Sequence, residues 1–173
     1  MNTRRWIPPV VVGDCQFDSG LFSNQWTLTR GGESLAELRR HPSHHTSSGS
    51  LADGTTINLS PVGWGSMEIT ADGKVIGRVD RRSWWGRRWE VTGDGFACDL
   101  TSDPMPRRWT FRIGGEPIGR LAGTMWSYNR LLVHADVSIP VHALILSWQV
   151  LARPWEAAAA TQPVVADRVI NHD

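Results

Sequence analysis

Lysine is nearly absent from this chain: Lys74 is the single lysine among eighteen basic residues. With frequent Ala, Gly and Trp, that bias points to a GC-rich bacterial genome, and it weakens any argument from a bare Arg-Arg pair. Net charge is also lacking, at +1, so no global positive field exists and no nucleic-acid partner is expected. Cysteine is scarce. Cys15 and Cys98 form no CxxC pair and cannot alone build a four-ligand zinc site. They read as small buried hydrophobes in a reducing compartment. No apolar run reaches the ~18 residues of a membrane-spanning helix. The apolar stretch from Trp6 to Val12 is broken by Pro8 and Pro9, which makes a poor secretory leader. A cytoplasmic location is therefore expected, with peripheral contact to a membrane left open. Catalytic signatures are missing as well: no GxSxG elbow, no HExxH, no phosphate-cradling GxxxxGK[ST]. No cofactor and no metal are expected, and a non-enzymatic role is.

What remains is a chain of 173 residues, 40% apolar and 20% charged, which suits one globular domain. Four segments share one shape: Trp26–Leu38, Met67–Val79, Trp89–Leu100 and Trp109–Leu121. Each opens on a large apolar residue, alternates, turns at a glycine-containing pair and returns to an aliphatic residue. Alternation places Trp26 with Leu28, Met67 with Ile69, Trp89 with Val91 and Trp109 with Phe111 on one face. Gly31-Gly32, Asp72-Gly73, Asp94-Gly95 and Gly114-Gly115 supply the positive φ of tight hairpin turns. Further strands are expected at Val10–Phe17, Thr56–Leu59 and Arg130–His134, for a total of ten to twelve. His41 to Gly49 reads as a polar loop.

The period then changes. Residues 139–152 hold no turn residue after Pro140, so the pattern predicts a helix with Ser138 as N-cap and Pro154 as terminator. It is apolar nearly all round, which demands burial on all sides. Fourteen residues span ~21 Å, short of a ~30 Å hydrocarbon core. A sandwich would cover one face only. A barrel of about twelve strands, with a backbone radius of roughly 12 Å, leaves a bore about one helix wide. The expected fold is thus mainly β: a closed antiparallel barrel of serial hairpins threaded by a buried C-terminal helix.

The serial hairpins, the Gly73-Lys-Val-Ile-Gly-Arg-Val79 strand followed by basic and aromatic residues and Trp89-Glu-Val91, and the apolar helix after a last strand resemble the tubby C-terminal-like superfamily. The LURP-one-related and phospholipid-scramblase branch is the most similar. The resemblance covers about residues 20–152 and implies a twelve-stranded barrel around a hydrophobic helix, with recognition of anionic lipid headgroups by basic side chains. No palmitoylation segment and no EF-hand pattern accompany it, and no lipid-binding residue of the family is carried over. The layout expected is an N-terminal segment 1–20 that includes a strand, a barrel over 20–153, and a tail from 154 to 173 that is short helix or loose extension.

One segment stands out for binding: Arg78-Val-Asp-Arg-Arg-Ser-Trp-Trp-Gly-Arg-Arg-Trp89. Arg78, Arg81, Arg82, Arg87 and Arg88 surround Trp84 and Trp85 at a tip between two strands. Indoles at a polar–apolar boundary beside guanidinium forks suit an anionic phospholipid surface. The plainer alternative is a connection whose indoles fold back onto the barrel mouth. Arg-Arg-Trp recurs at residues 4–6, 87–89 and 107–109. It reads as a strand-start pattern, with charge at the rim and Trp turning inward. Should Arg107 and Arg108 share a barrel end with Arg87 and Arg88, one basic rim would result. His41, His44 and His45 read as a polar loop, and His134 and His142 as core histidines. The competing readings are a lipid-binding module, a soluble scaffold for a protein partner, and an enzyme with an unrecognised site.

Overall fold

The computed structural model describes residues 7–20, 23–41, 45–105, 107–124 and 129–160, with no side chains beyond residue 151. It forms a closed antiparallel barrel of twelve strands: β1 (Val10–Ser19), β2 (Gln25–Arg30), β3 (Glu33–His41), β4 (Thr46–Leu51), β5 (Thr56–Pro61), β6 (Ser66–Ala71), β7 (Lys74–Arg81), β8 (Arg88–Gly93), β9 (Phe96–Ser102), β10 (Arg108–Ile113), β11 (Glu116–Gly123) and β12 (Arg130–Pro140). Each strand pairs with its chain neighbours, and β1 pairs with β12 to close the ring.

The sequence repeat is one hairpin. Its first and last residues face each other across the strands: Trp26 and Leu38, Met67 and Val79, Trp89 and Leu100, Trp109 and Leu121. Both central residues of each turn have positive φ, from 47° at Asp72 and Asp94 to 89° at Gly115, the geometry that matches strand twist. Three units are one residue longer than the Trp89–Leu100 unit, and each of the three carries a bulge. The extra residues are Leu35, Ile76 and Ile118. Ile76 and Ile118 point inward beside Gly77 and Gly119 and cap the turn end with apolar surface.

The chain passes from β12 straight into α1 (Val141–Ala160). Every residue from Val141 to Leu151 is buried, most at 0% exposure, so the helix runs inside the ring. Trp148 stacks on Phe17 at 5.9 Å and meets Trp26 edge-on at 5.7 Å. Polar side chains set its register. Gln149 accepts from the Ser47 hydroxyl at 2.7 Å, while the buried Arg40 guanidinium lies 4.8 Å over Trp148 and donates to the Gln149 carbonyl. Cys15 and Cys98 are buried free thiols, pushed by burial up to about 12.

Four expectations need correction. Ser138 is not an N-cap: Ile139 and Pro140 pair with Val11 and Val10, and the Pro9 carbonyl accepts the Val141 N–H at 2.8 Å. Pro154 does not end the helix, which continues to Ala160. A proline removes one intrahelical bond, and Ala157–Ala160, the strongest helix formers, carry the helix onward. The stretch from His41 to Gly49 is not loop throughout, because β3 reaches His41 and β4 begins at Thr46. The inward positions of β4 are Ser47, which serves Gln149, Gly49 and Leu51, so a single large apolar residue at its end is all that announces the strand. His134 is exposed on the outer wall, beside Asp14 at 2.5 Å and Asp136 at 3.3 Å, because Leu131, Val133 and Ala135 take the inward positions of β12. His142 is in the core, at 1% exposure. Arg4-Arg5-Trp6, His44 and residues 161–173 lie outside the described residues.

Two predictions follow from this packing. A Cβ at Gly49 would sit 2.1 Å from the Glu37 carbonyl oxygen on the paired strand. Gly49→Ala should therefore lower stability by about 1–3 kcal/mol in urea unfolding. Burial holds the His142 imidazole below its ordinary pKa, against weaker opposing effects of the Gly93 backbone and Asp94. Its folded pKa is depressed, so the unfolded chain takes up the proton first and stability falls as pH drops below about 6.5. His142→Gln should flatten the loss of stability between neutral and mildly acidic pH. The raised pKa of His134 acts with the opposite sign but is common to both proteins. An unchanged pH slope would show that His142 is not the titrating group.

Candidate functional site

A serial barrel sorts its connections by end. The turns after β2, β4, β6, β8 and β10 lie at one end, with the start of α1. The connections after β1, β3, β5, β7, β9 and β11, of four to six residues, lie at the other, where α1 leaves the ring. Charge is sorted with them. Taking each connection with its flanking residues, the loop end carries Arg81, Arg82, Arg87, Arg88, Arg107, Arg108 and Arg130 against Asp103. The turn end carries Arg30 and Lys74 against Glu33, Asp53, Asp72, Asp94 and Glu116. The second and third Arg-Arg-Trp copies do share one rim.

The arginines of that rim are not equivalent. Arg78 is not on it: it lies on the outer wall of β7, 2.9 Å from Asp80 and 3.3 Å from Glu68. Arg82 pairs with Glu90, Arg88 with Asp99 at 3.0 Å, and Arg130 with Asp18 at 2.7 Å. Arg107 donates to the Thr124 carbonyl at 2.9 Å. Arg108 is exposed and donates to the Met105 sulfur at 3.4 Å. Arg81, Arg87 and Arg108 have no carboxylate partner among the described residues.

Arg81 organises the β7–β8 connection. Its Nε–H donates to the Ser83 carbonyl at 3.0 Å, and its Nη2 donates to the Trp84 carbonyl. Its guanidinium lies 5.3 Å from the Trp64 ring and 6.0 Å from the Trp89 ring. Room for it depends on two glycines. A Cβ at Gly65 would be 3.0 Å from the Arg81 Cβ, and one at Gly86 would be 3.2 Å from Nη2. Both glycines also hold positive φ, at 76° and 66°. The Ser83 hydroxyl accepts the backbone N–H of Arg87 at 2.8 Å and of Arg88 at 3.0 Å, and the Trp89 indole N–H donates to the Gly86 carbonyl at 3.0 Å.

That scaffold turns indoles outward. Trp84 is 74% exposed and Trp85 82%. Trp64, on the neighbouring β5–β6 loop, is 73% exposed and meets Trp84 at 5.6 Å. Trp89 and Trp109 turn in and pack on the core, as the strand-start reading of Arg-Arg-Trp expects. Trp64 and the exposed Met105 were not singled out from the sequence. The signal available for Trp64 was its setting between Gly63 and Gly65, in a segment without alternation.

Between these loops and the exit of α1 lies an open cavity of about 600 Å³. Met67, Trp89, Trp109, Val150 and Leu151 supply apolar lining, with Trp64, Trp85, Arg81 and His45 among the other lining residues. Among the described residues, no cluster of His, Cys, Asp and Glu could hold a metal ion, and no helix is long and apolar enough to cross a membrane. No family model matches this chain, and no curated protein or solved structure is significantly similar to it.

If Arg81 holds the connection as described, Arg81→Ala should loosen it by about 1 kcal/mol, the scale of its ring contacts. Backbone amide exchange at residues 83–88 should accelerate while the core helix stays protected. Equal exchange in both proteins would refute the role.

Proposed function

We propose that this protein is a non-enzymatic binding module that docks its loop end on anionic phospholipid headgroups at a membrane surface. The observation that carries this reading is the cluster of three exposed indoles, Trp64, Trp84 and Trp85, at the more basic end of the barrel. Indole rings partition to the boundary between headgroups and acyl chains. Exposed aromatic side chains of this size are costly in water unless a partner covers them. Arg87 and Arg108 flank the cluster without carboxylate partners among the described residues and are suited to bidentate phosphate contacts. The opposite end, with its aspartates, would face away from an anionic surface. The resemblance to the tubby C-terminal-like superfamily belongs to the same proposal, since it implies lipid recognition by a helix-threaded barrel.

Co-sedimentation with phosphatidylcholine vesicles, with and without phosphatidylserine, tests it. Binding should need the anionic lipid and weaken as salt rises. Arg87→Ser with Arg108→Ser should weaken it about thirtyfold, from ~1 kcal/mol for each basic residue. Trp84→Ser with Trp85→Ser should weaken it on both vesicle types. Equal binding to the neutral vesicles, or no effect of the paired arginine changes, would defeat the proposal.

A further inference from the structure

We propose that the cavity at the exit of α1 is a binding site for a monomeric single-chain amphiphilic anion, of the class of a medium-chain alkyl carboxylate. The cavity measures about 600 Å³, within the range of small-molecule sites. Its deeper lining is apolar: Met67 from β6, Trp89 and Trp109 from β8 and β10, and Val150 and Leu151 from the helix. Here, where α1 leaves the ring, buried core residues Met67, Val150 and Leu151 line an open cavity beside the β5–β6 and β7–β8 connections.

The lining also fixes the sign of the ligand's charge. Among the described residues, no Asp or Glu lines the cavity, and Arg81 does. Arg81 is held by its Nε and Nη2 contacts to loop carbonyls and by the Trp64 and Trp89 rings. Its Nη1 has no hydrogen-bond partner among the described residues, so a guanidinium already fixed in place keeps donors for an anion. An organic cation would meet that same fixed charge. The chemistry is therefore one apolar chain on Met67, Trp109 and Val150 with its anionic group on Arg81. The site borders the docking surface through Trp64 and Trp85, but Trp84 does not line it and the ligand is taken from solution.

Titration calorimetry with octanoate, nonanoate and decanoate, below their micellar concentrations and without vesicles, tests the proposal. One molecule should bind per chain, about fourfold tighter for each added methylene. Decyltrimethylammonium should bind at least tenfold more weakly than decanoate. In the indole N–H region of the NMR spectrum, decanoate should shift Trp89 and Trp109 and leave the core Trp148 unmoved. Val150→Trp, which fills the cavity, should abolish binding, and Trp84→Ser should leave it intact. Equal binding of the cation, no dependence on chain length, or shifts confined to other tryptophans would overturn the site. So would a folded Val150→Trp protein that binds decanoate as tightly. Should that variant not fold, the chain series and the shift map on the unaltered protein decide the matter.

Discussion

The structure depends on one constraint: eleven consecutive helical residues, Val141 to Leu151, have no face that can meet water. A helix of this kind needs apolar surroundings through the full turn, and a single sheet can supply only half of them. The ring of strands supplies the rest, from Phe17 and Trp26 on one side to Val79, Val91 and Leu121 on the others. Closure of β1 on β12 also removes both sheet edges, which would otherwise invite pairing with other chains. The barrel and helix thus complete each other. Without the helix the ring would enclose a void, and without the ring the helix would be insoluble.

Threading a helix through a barrel makes its two ends unlike. At the turn end the chain enters the bore directly from β12, four of the five turns have two residues, and Ile76 and Ile118 are buried beside their turns. At the loop end the helix must get out. The connections there are longer, the closure is incomplete, and the apolar filling is covered by Trp89 and Trp109 only in part. Arg81 shows how this end is held. One guanidinium, seated between two indoles and over two carbonyls, orders the loop that carries Trp84 and Trp85. Its charge there stabilises structure first, and any ligand would meet an arginine already fixed. The ion pairs of Arg82, Arg88 and Arg130 are exposed and contribute little to stability individually. Among the described residues Arg81, Arg87 and Arg108 have no such ion pair, and of these Arg81 is held by loop carbonyls and indoles.

Much of this was legible in the chain. The hairpins were, because alternation and positive-φ turn pairs are local signals, and each repeat proved to be one hairpin with its end residues opposed. The helix was legible in its burial and less so in its limits. Ser138 looked like a cap and Pro154 like a stop, but strand pairing to Val10 and Val11 took the residues before the helix, and the alanine run carried it past the proline. β4 was hidden for a different reason. Of its inward residues, Ser47 and Gly49 serve a polar contact and a close strand approach, and only Leu51 is a large apolar side chain. The rim was legible as a cluster of arginines beside Trp84 and Trp85, yet nothing local distinguishes Arg78 on the wall from Arg87 at the tip, or marks Trp64 as their neighbour.

Period, turn chemistry and the greasiness of residues 139–152 were thus enough by themselves to determine a helix-threaded barrel, since each acts over a few residues or through the simple need for cover. Only the tertiary structure decided which arginines are tied to Asp80, Glu90 and Asp99, which indoles face out, and where the core opens to solvent. Those outcomes depend on which strands lie side by side and on which end a helix must leave, relations between residues far apart in the chain that no local pattern encodes.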